Sequence, residues 1–293
     1  RHAMYFLDQG TQAELCFAQG GEQQAEGRRR FTELWPHLEA AWRRMAGLES
    51  RWPRPESAEW WLSNFAENLA HGVDERLAVG HRLQLYERAL LAARRQRDRR
   101  SEATFLGNLG ETWFSLGDAR RGLELCEQAL VIARETNDER AQARFLGLLG
   151  IAYRSLGNPQ RSVESLEAAL VIHRENGDRH GEADLLAELG MTWFSAGEPN
   201  RASENYQQAL ALHRETNDKR AVGLDLGLLG NALQARGEVQ QAIALYQQAL
   251  AIYREIGDRR AEGNQLGSLG IAFAIQGDPQ HAAQLFEQAL SVH

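Results

Sequence analysis

The chain has 293 residues, 43% of them hydrophobic and 25% charged, a composition that belongs to an ordered protein and excludes a disordered tail. Its net charge of −7 is unevenly held: 16 Arg/Lys stand against 14 Asp/Glu over residues 1–100, and 17 against 26 in the remainder, so the acidic part argues against a nucleic-acid backbone as main partner. No apolar run approaches the ~20 residues of a membrane span and no signal peptide is visible, so no membrane partner and a cytoplasmic location are expected. The two cysteines, Cys16 and Cys126, lie far apart and read as unpaired thiols of a reducing compartment. The chain opens inside an already patterned segment and reads as a piece of something longer.

Residues 1–56 form a first block that predicts two helices, RHAMYFLDQGTQAEL and FTELWPHLEAAWRRM. Phe31, Leu34, Trp35, Leu38, Trp42 and Met45 follow helical spacing, and Pro36 among them predicts a helix start or a kink. The stretch RWPRPES is a breaker, after which Ser57 is placed to cap the next element. Five of the seven tryptophans fall between 35 and 61, which marks a distinct packed block.

From residue 98 to 293 the chain repeats itself every 40 residues without an insertion. One glycine series is Gly110, Gly150, Gly190, Gly230 and Gly270; a second is Gly117, Gly157, Gly197, Gly237 and Gly277; Ala-Leu recurs at 129–130, 169–170, 209–210, 249–250 and 289–290. Self-similarity at this period predicts an all-α fold, an α-solenoid of stacked helical hairpins. Within residues 138–177, Asp138 caps a first helix whose Leu146, Leu149 and Tyr153 form an apolar stripe. Gly157 ends that helix, Asn158 and Pro159 start the second, and Ser162, Leu166, Ala169 and Leu170 make its buried face. Small residues in both helices (Gly110 to Gly270, then Gly122, Ser162, Ala202, Ala242 and Ala282) allow close approach. Large ones, such as Trp113, Tyr153, Trp193, Tyr206 and Tyr246, fill between them. Five clear units cover 98–293, and residues 57–97 fit in register as a degenerate sixth, with Leu69-Ala70 and Leu77 departing from the pattern and Ala89-Leu90 keeping it.

The pattern L-x-x-L-G-x-A-[YWF]-x-x-x-G-[DN]…A-L resembles the tetratricopeptide repeat, and the 40-residue spacing is similar to the long-helix variety of cell-polarity adaptors and bacterial signalling ATPases. The opening Arg1-His2-Ala3, together with Glu33-Leu34 and Leu38-Glu39-Ala40-Ala41-Trp42, resembles the helical link that follows the winged helix of STAND-class (NB-ARC-like) ATPases, with Pro36 as a departure. That resemblance implies a bacterial sensor region acting in signal transduction, with ADP or ATP bound by upstream domains of the full-length protein. The adaptor resemblance implies instead a free-standing scaffold that binds a partner peptide.

Catalytic and metal constellations are not found. There is no G-x-x-x-x-G-K-[ST], H-E-x-x-H or C-x-x-C, so no cofactor, no metal and no enzymatic activity are expected of these residues. His173 and His213 share one repeat position and read as a surface ladder, since Ala133 and Tyr253 occupy the same place in neighbouring units. The Arg-Glu pairs at 134–135, 174–175, 214–215 and 254–255 read as solvated helix ends. The aromatic series reads as core.

Function is therefore expected on the concave side, lined by first helices, with a protein or peptide as ligand. Opposite the buried stripe, helical period selects Asn108, Glu111 and Phe114; Arg144, Ile151 and Arg154; Asp184, Glu188, Met191 and Phe194; Asn231 and Gln234; and Asn264. These positions vary between units while the packing positions do not. Phe114, Met191 and Phe194 either anchor a ligand or pack sideways between first helices; the sequence leaves both readings open. The last unit is expected to leave apolar surface open near Leu285 and Phe286, and so to self-associate or continue.

Overall fold

The computed structural model describes residues 79–292 continuously and, before them, helical residues 9–12, 26, 29–38 and 40. RWPRPES, Trp42, Met45, Leu69-Ala70, Leu77 and Cys16 lie outside the described residues. The stretch 29–38 is helical straight through Pro36, so the helix does not begin at the proline; Phe31 and Leu38 are buried, and the rings of Phe31 and Trp35 stack at 5.7 Å.

From Val79 the described chain is a run of helices of nearly equal length: α1 Val79–Gln96, α2 Arg99–Ser115, α3 Ala119–Glu135, α4 Glu139–Ser155, α5 Pro159–Glu175, α6 Arg179–Ser195, α7 Pro199–Glu215, α8 Lys219–Ala235, α9 Val239–Ile256, α10 Arg259–Gln276 and α11 Pro279–Val292. Most helix starts have a local cause, although Glu198 and Glu238 make no side-chain cap bond. The side chains of Asp98, Asp118, Asp138, Asn158, Asp178, Asp218, Asp258 and Asp278 accept from the backbone N–H three residues on, at 2.9 to 3.2 Å. Helix ends turn through positive φ at Gly157 (72°) and Gly177 (66°); where glycine is missing, Asn137 (52°) and Asn217 (56°) take the same conformation. The reversed hydrogen bonds Gly157 N–H to Arg154 O (3.0 Å) and Asn158 N–H to Tyr153 O (2.9 Å) close the turn and recur in other units.

Two compact units divide the chain, Arg1–Ala152 and Tyr153–His293. In the first, α2 packs on α1 and α3, and the Phe145 ring of α4 sits where a side chain at Gly107 would be. In the second, α6 and α7, α8 and α9, and α10 and α11 are hairpins; successive hairpins touch through α7–α8 and α9–α10. The first helices α6, α8 and α10 also meet one another in sequence, so their outer faces lie side by side.

The small residues work as close-contact points. A Cβ on Gly190 would lie 2.5 Å from Cε1 of Tyr206, and one on Gly270 would lie 2.8 Å from Cε1 of Phe286. Ala129, Ala169, Ala209 and Ala249 are all fully buried. Around these points Tyr206, Leu226, Leu229, Leu233, Tyr246, Leu250, Leu266 and Leu269 form one continuous core in the second unit. Each such side chain contributes on the order of 1.5–3 kcal/mol by leaving water.

Two details differ from the sequence expectation. The aromatic series at 113, 153 and 193 is half-buried: Arg121 covers Trp113 at 4.6 Å, Arg161 covers Tyr153 at 5.6 Å and Arg201 covers Trp193 at 4.5 Å, so each ring packs on one face and holds a guanidinium on the other. The Arg-Glu helix ends are not merely solvated. Arg174 and Arg179 both bind the buried carboxylate of Glu182, at 2.8 and 3.1 Å, and Arg254 and Arg259 hold Glu262 in the same way, at 2.9 and 3.4 Å. In the first unit Arg94 and Arg99 hold Glu102. Glu102, Glu182 and Glu262 are spaced by 80 residues, with Gln142 and Val222 between them, so the clamp belongs to alternate repeats.

In the last hairpin the register positions buried elsewhere are open: Leu290 is 78% exposed, whereas Leu250 is 6% exposed, and Phe286 is exposed where Tyr246 is buried.

Candidate functional site

The first helices carry the candidate residues because their opposite stripe is committed to packing. In α2 the face is already partly occupied. Asn108 is buried, and its Oδ1 accepts from Arg144 Nη2 at 2.6 Å; the same nitrogen reaches Glu111 at 3.1 Å. Phe114 turns into its own hairpin, its ring lying where a side chain at Gly122 would be. Ile151 is half-buried.

In the second unit the face is more open. Arg154 and Glu188 form a half-buried pair at 2.8 Å. Burial pushes the Glu188 carboxyl above its ordinary range, and Arg154 opposes that rise. Met191 leans on the core, while Phe194 is exposed on the last turn of α6. On α8, the Tyr246 hydroxyl donates to Asn231 Oδ1 at 2.8 Å, so that carboxamide is held by its oxygen, while Gln234 Oε1 lies farther off at 3.4 Å. Asn264 on α10 is exposed. The structure thus brings Asp184, Glu188, Met191, Phe194, Asn231, Gln234 and Asn264 onto neighbouring helices of one unit, with Leu224 and Ile271 exposed among them.

The most heavily charged feature was read differently in the sequence. His213 is 2% exposed, not part of a surface ladder. Its Nδ1 lies 2.7 Å from Oδ2 of Asp225, itself 1% exposed. Its Nε2 faces Asp184 Oδ1 at 3.3 Å, outside hydrogen-bonding geometry, so that contact is ionic only. His180 completes the line, with its ring edge-on to His213 at 5.6 Å and its Nε2 3.7 Å from Asp184. His173, by contrast, caps locally on Asp178 at 2.9 Å. A signal was present: Asp225 stands in the register of Phe105, Phe145 and Leu185, so a carboxylate occupies a core position.

Burial pushes the His213 imidazolium down, but Asp184 and Asp225 outweigh it and bring its pKa to about 9. Its ordinary value is ~6.5. Because the folded value is raised, the stabilisation is complete below pH ~6.5 and is lost as pH rises through about 9. Urea unfolding should therefore show stability falling by on the order of 2 kcal/mol between pH 7 and 10, and the slope should be much reduced in His213→Ala. An equal slope in both proteins would remove His213 as its source.

Cys126 is fully buried and burial pushes its thiol up to about 12, which makes it inert at neutral pH. Among the described residues no group of three or more His, Cys, Asp or Glu is placed to hold a metal ion, and no helix is long and apolar enough to cross a membrane.

Helical hairpins of one length, repeated in register, with a varying open face and a packed face of recurring small and apolar residues, define an α-helical repeat protein that works by binding. The tetratricopeptide repeat model matches residues 101–175, 142–215 and 224–293, and the chain belongs to the tetratricopeptide repeat family. The tetratricopeptide repeat fold is that of a protein-binding module. Among solved structures, BtubC (BKLC) from P. vanneervenii is similar with a TM-score of 0.65 at 22% identity, covering 74% of this chain and 91% of its own. A Rap protein complexed with competence and sporulation factor is similar over 99% of this chain and 97% of its own, with a TM-score of 0.64 at 12% identity. The apo quorum sensor NprR from B. thuringiensis gives 0.66 at 13% identity, covering 99% and 75%. At these identities the likeness is one of fold. Comparison with curated proteins finds no match.

Proposed function

We propose that the chain binds a short protein segment along the first-helix faces of α6, α8 and α10 and acts as the sensor region of a cytoplasmic STAND-type, NB-ARC-like signalling ATPase. One observation carries the binding part: Phe194, Leu224 and Ile271 stay exposed on adjacent first helices beside Asn231, whose carboxamide is held by Tyr246. Exposed apolar side chains rimmed by fixed polar groups match a ligand that offers apolar anchors and backbone amides. The fold likeness to a Rap protein complexed with competence and sporulation factor and to a quorum sensor supports a ligand of this kind. The sensor part rests on the resemblance of residues 1–56 to the link of such ATPases.

Two experiments separate these parts. Selection from a displayed library of random nonapeptides should yield binders whose affinity falls at least tenfold in Phe194→Glu with Ile271→Glu. Failure to enrich any peptide, or binders indifferent to the double substitution, would sink the groove reading. For the sensor role, the sequence of the intact gene product should hold a phosphate-binding loop and a winged helix before Arg1. Further repeats or an initiator methionine there would make the chain a free-standing scaffold.

A further inference from the structure

Resting on that groove reading, we propose that the Tyr206 hydroxyl is a ligand contact at the floor of the groove, where it donates to an amide carbonyl of the bound segment. The packing that places Tyr206 is the packing that places Tyr246. The Cε1–Cδ1 edge of the Tyr206 ring lies where a side chain at Gly190 would be, and the same edge of Tyr246 lies where one at Gly230 would be. The two rings hold one register, so their hydroxyls come up at corresponding points of the first-helix face. At Tyr246 that point is furnished from within the chain, since Asn231 Oδ1 accepts from the hydroxyl at 2.8 Å. One repeat earlier Met191 takes the place of Asn231 and Phe194 that of Gln234, and neither offers a carbonyl.

The Tyr206 hydroxyl is left without a partner in consequence. The residue is 1% exposed, and no hydrogen bond among the described residues reaches its hydroxyl; yet that oxygen is not one of the orphaned polar atoms sealed in the interior. The little of Tyr206 that meets the surface is therefore its hydroxyl, at the register of Met191 and the exposed Phe194. Arg154 and Glu188 are near enough for their charges to act on the phenol, but they are engaged with each other at 2.8 Å. Burial holds the phenol's pKa above its ordinary value, so at neutral pH it keeps the proton it donates. A buried ring fixes the direction of this donor before any ligand arrives, which lowers the ordering cost of binding. The partner it fits is the one Tyr246 already has, the oxygen of an amide. A peptide carries that group on its backbone or on an asparagine or glutamine side chain, beside an apolar side chain that lies on Met191 and Phe194.

The test titrates the selected nonapeptides onto the full chain. Tyr206→Phe removes only the hydroxyl, and phenylalanine is native to this register as Phe286. Affinity should fall about fivefold, the usual size of one neutral hydrogen bond exchanged with water. The melting temperature should not change, because the hydroxyl holds nothing in the free chain, whereas Tyr246→Phe, which loses the bond to Asn231, should lower it. Two peptide series locate the acceptor: an ester in place of each backbone amide in turn, whose carbonyl accepts more weakly, and norvaline in place of each asparagine or glutamine. One change should weaken binding to the parent chain and cost nothing further in Tyr206→Phe; in the first series it marks a backbone carbonyl, in the second a side chain. Peptides that bind Tyr206→Phe as tightly as the parent would overturn the proposal and leave the groove reading standing. So would a melting temperature lowered as far as in Tyr246→Phe, or a loss of affinity that no peptide change cancels. If no peptide binds at all, the groove reading fails and this proposal falls with it.

Discussion

Replacing Asp225 by leucine should cost about 3–5 kcal/mol, the usual penalty for removing one partner of a buried ion pair. Leucine fits the space, since Leu185 fills the same register and is itself buried. Shape is therefore not the problem. The substitution leaves His213 buried, with its Nδ1 lacking the acceptor at 2.7 Å and its charge facing only Asp184 at 3.3 Å. The imidazole must then shed its proton or open the contact between α7 and α8, and either route loses stability. The loss should shrink at pH 10, where the imidazole is already neutral in the parent, whose His213 pKa is about 9. Adding His213→Ala, the residue found at register position 133, should recover most of the loss, because an apolar pair replaces a broken ionic one. Urea unfolding of the three proteins at two pH values decides it. A single Asp225→Leu variant as stable as the parent at neutral pH would mean that the pair does not hold these helices together.

Gly190→Leu should be equally damaging for a steric reason. The first added atom alone would sit 2.5 and 2.6 Å from Cε1 and Cδ1 of Tyr206, a ring that is 1% exposed. The α6–α7 hairpin must open, which costs about 3 kcal/mol or more and lowers the melting temperature by on the order of 10 °C. Gly267 supplies the control. It lies in the helical first element α10, yet nothing stands within 4 Å of a Cβ there, so Gly267→Ala should be neutral or stabilising by ~0.5–1 kcal/mol through helix propensity. An unchanged melting temperature for Gly190→Leu would contradict the packing described for every hairpin of the second unit.

The two glycines show where sequence reading stops. Both lie within first helices, α6 and α10, and look alike as letters. Their difference lies in what sits opposite, and that is set by the neighbouring helix. The groove candidates show the same limit. Helical period put Asn108 and Asp184 on one kind of stripe, yet Asn108 is consumed by Arg144, 36 residues away, while Asp184 stays exposed. Phe114 was open to two readings and turns into its own hairpin; Phe194, its register mate, remains exposed.

What the sequence determined by itself is the all-helical class, the 40-residue period from 98 to 293, and the start and stop of the helices within residues 138–177. Those features follow from interactions within three or four residues: a side chain capping a backbone N–H, a positive φ at a helix end, an apolar stripe at helical spacing. Only the tertiary structure decided that His213 is buried against Asp225, that alternate repeats clamp Glu102, Glu182 and Glu262 between arginines, and that the aromatic rings at 113, 153 and 193 each carry a guanidinium. Partners of this kind can stand 8, 12 or 36 residues apart, as in Arg174–Glu182, His213–Asp225 and Asn108–Arg144. Whether such groups meet depends on how each helix is rotated and set against the next, and a polar residue is stable inside only where that rotation brings it a partner.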